Sequence, residues 1–323
     1  MVNLNTQYAG LQLKSPIIVG SSGLTRNPSK SKEFEDAGAG AIVLKSLFEE
    51  QIEMQIEHMD AFDYPEADDY LRSYMKNNQL NDYLDLIKRT KEVCTVPVIA
   101  SINCYKSDAW IEFASEIEKA GADALELNLF FLSTNLTHNG PLVRDLYIDV
   151  IKKVRKAIKI PFTVKMGRNI GNVTALVYAL QANGADGFVL FNRYFQPDIN
   201  LNKIELIPGS IFSSPIEIGD TLRWTALVSG KVPNVSLAAS TGIHNWEAVA
   251  KCILMGASAV QMCSAIYQQG TKVIPESLEK LSHWMEEQNF QNINQFKGLL
   301  NAAKMDNPTI YERTQFMKYY TNR

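Results

Sequence analysis

The chain is poor in cysteine and histidine, and it has neither a basic block nor a long apolar stretch. Its 323 residues include four cysteines, Cys94, Cys104, Cys252 and Cys263, and four histidines. No two cysteines form a CxxC pair. A disulfide framework, a structural zinc site or a metal cluster held by this chain's own thiols is therefore not expected, and free thiols in a reducing cytoplasm are. The longest apolar runs reach about 5–8 residues, against the ~20 needed to cross a bilayer as a helix. The opening MVNLNTQYAG lacks a basic segment followed by an apolar core, so no secretory signal is expected. Lys and Arg number 32 against 35 Asp and Glu, a formal charge of −3. That balance makes nucleic acid an unexpected partner. No GxGxxG follows the first apolar run, which disfavours an open doubly wound dinucleotide-binding sheet.

What is present is a repeat. A helix end, then Gly-Ala, then a continuously apolar run recurs as EDAGAGAIVLKS, EKAGADALELNL, QANGADGFVLFN and ILMGASAVQMCS. Glycine suits the position after a helix C-terminus, where φ turns positive, and an unbroken apolar run suits a strand buried on both faces. Between these runs lie others announced by proline, after Pro16, Pro97, Pro161 and Pro233. Interleaved, they make eight strands that alternate with helical patterns, which predicts a parallel sheet closed into a (β/α)8 TIM barrel. Nothing linker-like divides the chain, so residues 1–323 read as one domain. Two long strand-to-helix connections, at about 47–80 and 193–218, are expected over the C-terminal mouth as lids or substrate walls.

Polar residues gather where the strands end: Ser21, Ser22 and Gly23, then Lys45, Asn103, Asn128, Lys165 and Asn192. The last two strands run into Thr241-Gly242 and Cys263-Ser264, small residues that open helical patterns. Paired turns of this kind leave backbone N–H groups pointing outward and form a phosphate cradle. Two lysines and three asparagines on one face, with no carboxylate among them, favour an anionic ligand rich in hydrogen-bonding atoms. A flavin fits, and a lysine beside its ring would stabilise the negative charge of the reduced form.

These residues carry a resemblance. LKSPIIVGSSG, GAIVLKS, ALELNL, FTVKM, the stretch STGIHNWEAVAKCILMGASAVQMCSAIYQQG and NFQNINQFKGLL resemble, nearly end to end, the dihydroorotate dehydrogenase family in its soluble class 1 branch. The resemblance implies an FMN-dependent oxidoreductase acting on CH–CH bonds, which oxidises dihydroorotate in pyrimidine biosynthesis. Ser22, Gly23, Lys45, Lys165, Thr241, Gly242, Cys263 and Ser264 would hold FMN, and Lys45, Asn128 and Asn192 would bind the substrate. A cytoplasmic homodimer is implied, with an electron acceptor that the residues do not identify.

The chain departs from that pattern in two places. The family's base, a Cys or Ser in the loop after the fourth strand, falls here on Phe131, which cannot accept a proton. Ser133 or Thr134 could serve if the loop shifts, and Ser133 is the candidate base. The family's carboxylate-gripping turn after the second strand is replaced by an acidic segment around Tyr64-Pro65-Glu66; Arg168 or Arg193 is the candidate substitute. Three alternatives stay open: an FMN oxidoreductase for another substrate, a catalytically silent FMN-binding relative, and a barrel that uses the same cradle for a phosphosugar.

Overall fold

A computed structural model describes residues 2–49, 65–103, 107–130 and 140–312. The eight expected strands form: β1 (Ile17–Val19), β2 (Ala41–Val43), β3 (Val98–Asn103), β4 (Ala124–Leu129), β5 (Phe162–Met166), β6 (Gly187–Leu190), β7 (Leu237–Ser240) and β8 (Ala259–Met262). They hydrogen-bond in the order β2-β1-β8-β7-β6-β5-β4-β3, and β2 also pairs with β3, so the parallel sheet closes on itself. A two-residue extension, Leu47–Phe48, lies against the end of β3. The fold is a (β/α)8 barrel.

The repeat read from the sequence has a common backbone cause. Gly38, Gly121, Gly184 and Gly256 all lie at φ between 91° and 112°, a region nearly closed to residues with a Cβ. Each reverses the chain between a helix and the strand that follows. The surrounding helices are α1 (Pro28–Asp36), α2 (Pro65–Val93), α3 (Ser107–Lys119), α4 (Gly140–Ala157), α5 (Val173–Ala182), α6 (Ile218–Lys231), α7 (Trp246–Leu254), α8 (Ser264–Gln269) and α9 (Val273–Glu287). Among the described residues, asparagine starts three of them. Asn27, Asn172 and Asn245 each accept a hydrogen bond from a backbone N–H of the first turn, which stabilises each start by ~1 kcal/mol.

Side chains alternate along each strand between the helix layer and the barrel interior. On β4, Leu125, Leu127 and Leu129 join the large core beneath the helices. Ala124 joins a second, smaller cluster with Ile18, Ala41, Val43, Ile99, Val189, Ala238 and Ala259, the floor of the barrel.

An N-terminal hairpin, Thr6–Tyr8 paired with Leu11–Leu13, closes that floor. Tyr8 and Leu13 are 1% and 2% exposed and belong to the floor cluster. The Tyr8 hydroxyl donates to the Phe188 carbonyl, and the Ala9 N–H donates to Ser236 Oγ at 2.8 Å. Three-residue strands of this kind carry too little periodicity to be read from the sequence. Burying Tyr8 removes ~150–250 Å² of largely apolar surface from water, a stabilisation of ~4–6 kcal/mol at 25 cal/mol/Å². The barrel is thus plugged at one end and open for chemistry at the other.

Candidate active site

The open end is built around β7 and β8. Beyond β7, Thr241 and Gly242 take φ values of 79° and 83° in succession. That is costly for a β-branched residue, and two hydroxyls hold it in place. Thr241 Oγ1 donates to the Phe191 carbonyl at 3.0 Å, and Thr221 Oγ1 donates to the carbonyls of Ser240 and Thr241. Gly242 admits no larger residue, because a Cβ there would meet the backbone of Ile218. Beyond β8, Cys263 caps α8 and Ser264 begins it. The amides of Gly242, Ile243, Ser264 and Ala265 find no acceptor among the described residues. Four such donors at two adjacent strand ends suit an anionic oxygen cluster.

A cavity of about 150 Å³ joins this cradle to the barrel centre, and Ser21, Lys165, Asn192, Gln261, Gly242 and Ser264 are among its lining. Of the two expected lysines, Lys165 belongs to its lining. Lys165, on β5, stands over the barrel interior with its side chain 11% exposed. Lys45 follows β2 and is half-buried, its ammonium 4.2 Å from the centre of the Phe48 ring. Burial, reinforced by the charge of Arg26, pulls the Lys45 pKa down. Ser22 caps the short helix Gly23–Arg26 through its hydroxyl. Burial pushes the Cys263 thiol up, only partly opposed by a hydrogen bond to Ser22 and by the charge of Lys165. A thiol so placed stays protonated and is a poor nucleophile.

Asn128 and Asn192 come together. Asn128 lies beside Lys165 in the β4–β5 ladder, and Asn192 Nδ2 donates to Asn128 Oδ1 at 2.9 Å. The assignment is forced rather than free. Asn192 Oδ1 accepts from the Arg193 N–H, so its other atom must be the donor, and Asn128 Oδ1 must be the acceptor. No acceptor among the described residues takes the Asn128 NH2, which can meet a ligand. Beside it, the Phe130 and Tyr194 rings pack with centroids 4.4 Å apart.

The 193–218 connection folds over the mouth. It contains an exposed hairpin, Pro197–Asn200 with Glu205–Pro208, and then a strap that returns to the cradle. Ser213 N–H donates to Ser264 Oγ at 3.0 Å, and Ser213 Oγ sits 3.0 Å from His244 Nε2. His244 is 6% exposed, and burial lowers its pKa despite the nearby Glu217 carboxylate. Arg193 is committed to the strap. Its guanidinium pairs with Glu217 at 3.0 Å and donates to the carbonyls of Ser210 and Ile211. Arg168 pairs with Asp220 at 3.2 Å. Neither arginine therefore stands ready as a free carboxylate clamp, because each already has an anionic partner. Phe131, Ser133, Thr134 and Tyr64 lie outside the described residues.

One expectation is corrected. A carboxylate does stand in the ring: Glu126, on β4, is 1% exposed and occupies the barrel interior one layer below Asn128. Its Oε1 lies 3.7 Å from Lys165 Nζ and makes no hydrogen bond, and its Oε2 accepts from Gln261 Nε2. A buried acceptor without a donor costs ~1–3 kcal/mol. The signal was in ALELNL, where Ala124, Glu126 and Asn128 share one face by the period of two. A serine chain continues the polar layer: Ser21 Oγ to Ser46 Oγ at 2.9 Å, then Ser46 Oγ to Ser101 Oγ at 2.7 Å. Among the described residues no three His, Cys, Asp or Glu side chains could hold a metal ion. Nor is any described helix long and apolar enough to cross a membrane.

Comparison with known proteins places this geometry. The family model described as dihydroorotate dehydrogenase matches residues 3–285. A dihydroorotate dehydrogenase B (NAD(+)) catalytic subunit of Thermoplasma volcanium is 26% identical over 93% of this chain and 99% of its own length. One from Methanocaldococcus jannaschii is 26% identical over 88% of this chain and 94% of its own. The NAD-dependent dihydropyrimidine dehydrogenase subunit PreA of Escherichia coli is 24% identical, covering 93% of this chain and 77% of that protein. With a barrel closed by eight parallel strands and a family match spanning nearly its whole length, the chain belongs to the dihydroorotate dehydrogenase family.

Proposed function

We propose that the chain is an FMN-dependent oxidoreductase that converts dihydroorotate to orotate in pyrimidine biosynthesis. The observation that carries this reading is a convergence at one mouth. Gly242, Ile243 and Ser264 of the cradle, Lys165 over the barrel centre and Asn192, which is locked to Asn128, border the same space. These residues fit FMN: the amides of Gly242, Ile243, Ser264 and Ala265 would take its phosphate, and Ser22, Gly23, Thr241 and Cys263 would shape the pocket. When bound, the flavin supplies a two-electron acceptor for the hydride from C6 of the dihydropyrimidine.

The chain supplies the rest. Lys165 places positive charge where the reduced cofactor gains negative charge. Lys45, kept half-buried, would bring its charge to the face where cofactor and substrate meet. Asn128 and Asn192 orient the pyrimidine ring, with the NH2 of Asn128 donating to a ring carbonyl. Ser133 would take the C5 proton while passing its own hydroxyl proton to an activating neighbour or water chain.

A second reading has one specific observation behind it. With Phe131 at the family's base position, the same cofactor site would serve a different CH–CH substrate. The PreA relative is named for a dihydropyrimidine rather than dihydroorotate.

The working form is a cytoplasmic homodimer. Ile199, Leu201, Ile204 and Leu206 on the 193–218 hairpin are 57–88% exposed, an apolar edge of the kind that pairing covers. The electron acceptor is a separate molecule; the two archaeal relatives are named as catalytic subunits with NAD(+). Anaerobic mixing of the FMN-loaded chain with dihydroorotate tests the reading. Bleaching of the flavin band is expected. A band that stays yellow with dihydroorotate but bleaches with another dihydropyrimidine moves the assignment to the second reading.

A further inference from the structure

The polar layer beneath the mouth contains a directed chain of three side chains that bound ligand alone does not explain. Lys165 Nζ donates to Gln261 Oε1 at 2.9 Å, and Gln261 Nε2 donates to Glu126 Oε2. Gln261 is 3% exposed and Glu126 1%. An ammonium can only donate, and a carboxylate can only accept. The amide between them is therefore held in one orientation, with its oxygen toward Lys165 and its nitrogen toward Glu126. The second carboxylate oxygen, Oε1, stays without a donor and faces the ammonium at 3.7 Å, beyond direct hydrogen-bond range. Burial excludes water, so the carboxylate acts on Lys165 with little screening.

A lysine that only filled space or capped its strand would need no buried carboxylate beneath it. A lysine that must hold one position and a partly balanced charge would. Tyr8, rising from the floor plug, feels the same carboxylate: burial first, and then Glu126, raise its hydroxyl well above the ordinary phenol value. The carboxylate's influence thus extends through the centre of the barrel.

We infer that Glu126 and Gln261 are positioning residues that fix the Lys165 ammonium against the cofactor and set how readily the bound flavin accepts electrons. This rests on the FMN reading. With a carboxylate beneath it, Lys165 would stabilise the anionic reduced flavin less than a lone ammonium would, which holds the potential low. Gln261 keeps the ammonium at one height in the mouth, so that this balance is uniform from molecule to molecule.

The test is the two-electron reduction potential of the FMN-loaded chain, measured by equilibration with a reference dye, together with its affinity for sulfite. Neither requires turnover. Glu126→Gln is expected to raise the potential by about 30 mV, a tenfold shift in the reduced-to-oxidised ratio, and to tighten sulfite binding about tenfold. In a Lys165→Met background the same substitution is expected to shift both by less, because the part of the effect that travels through the ammonium is lost. Gln261→Leu, which leaves both charges and removes the bridge, lets the ammonium close on Glu126 and is expected to lower the potential, and it guards against a Glu126→Gln chain that fails to fold. An unchanged potential in both folded variants, with FMN still bound, overturns the assignment while the FMN reading stands. A wild-type chain that takes up no FMN overturns the FMN reading and this assignment with it.

Discussion

Asn192 Nδ2 donates to Asn128 Oδ1 at 2.9 Å, joining the ends of β6 and β4 across the width of β5. The pair fixes which atom of Asn128 a ligand meets. Asn192→Ala releases Asn128 to rotate, so a ring carbonyl then faces either end of its amide. Loss of one positioned hydrogen bond costs ~1–3 kcal/mol, and kcat/KM is expected to fall roughly 5–150-fold. The rate of flavin bleaching as a function of substrate concentration reads this directly. FMN content should not change, because neither asparagine belongs to the phosphate cradle.

Gly242→Ala attacks the cradle itself. The residue sits at φ 83°, and its missing Cβ faces the Ile218 backbone, with Ile218 Cα 2.7 Å away. The strain of a positive φ alone is ~1–3 kcal/mol, and the start of α6 must also shift. A lower Tm and FMN affinity weaker by at least tenfold are expected. Gly219→Ala is the matched control one residue beyond Ile218. It has open space around it and lies in α6, so it should leave FMN binding intact and raise stability by ~0.4–1 kcal/mol.

His244 ties stability to pH through the strap. Burial lowers its pKa from 6.5 in the fold, so the unfolded chain takes up its proton at a higher pH than the folded chain does. The folded form therefore has its full stability above about pH 6.5 and loses it progressively as pH falls through that value toward the folded pKa. A Tm-against-pH series should decline on the acid side of 6.5. His244→Gln, which keeps a polar partner for Ser213, should flatten that part of the curve. A curve with the same slope in the variant would assign the acid loss to other groups.

Tyr8→Ala separates scaffold from site. The side chain seals the floor at 1% exposure, on the opposite side of the polar layer from the cradle. A cost of ~3–5 kcal/mol is expected from removing an aromatic of this burial, seen as a fall in Tm or in the denaturant midpoint. FMN affinity of the folded fraction should be nearly unchanged.

The strand–helix alternation was legible because each unit repeats the same two physical devices. A positive-φ glycine reverses the chain, and an apolar run buried on both faces follows. Gly38, Gly121, Gly184 and Gly256 announce four of the eight strands in this way. The floor hairpin was not legible, because Thr6–Tyr8 and Leu11–Leu13 are too short to show a period. At the site, Lys165, Asn128 and the cradle stood out as polar residues at the ends of apolar runs. Glu126 and Gln261 stand inside such runs, where the apolar neighbours that face the helices mask the inward alternation. Their partnership joins β4 to β8, 135 residues apart in the chain, which no local pattern can report. The commitment of Arg193 to Glu217 is likewise a tertiary fact: the strap must fold back before the two can meet.

The most direct test of the account is cofactor uptake by the chain itself. Titration with FMN, followed by quenching of flavin fluorescence, should show one tight site per chain. Riboflavin, which lacks the phosphate, should bind far more weakly, because the four amides at Gly242, Ile243, Ser264 and Ala265 would then have nothing to hold. A chain that remains colourless with added FMN, or that binds riboflavin as tightly as FMN, would contradict the account.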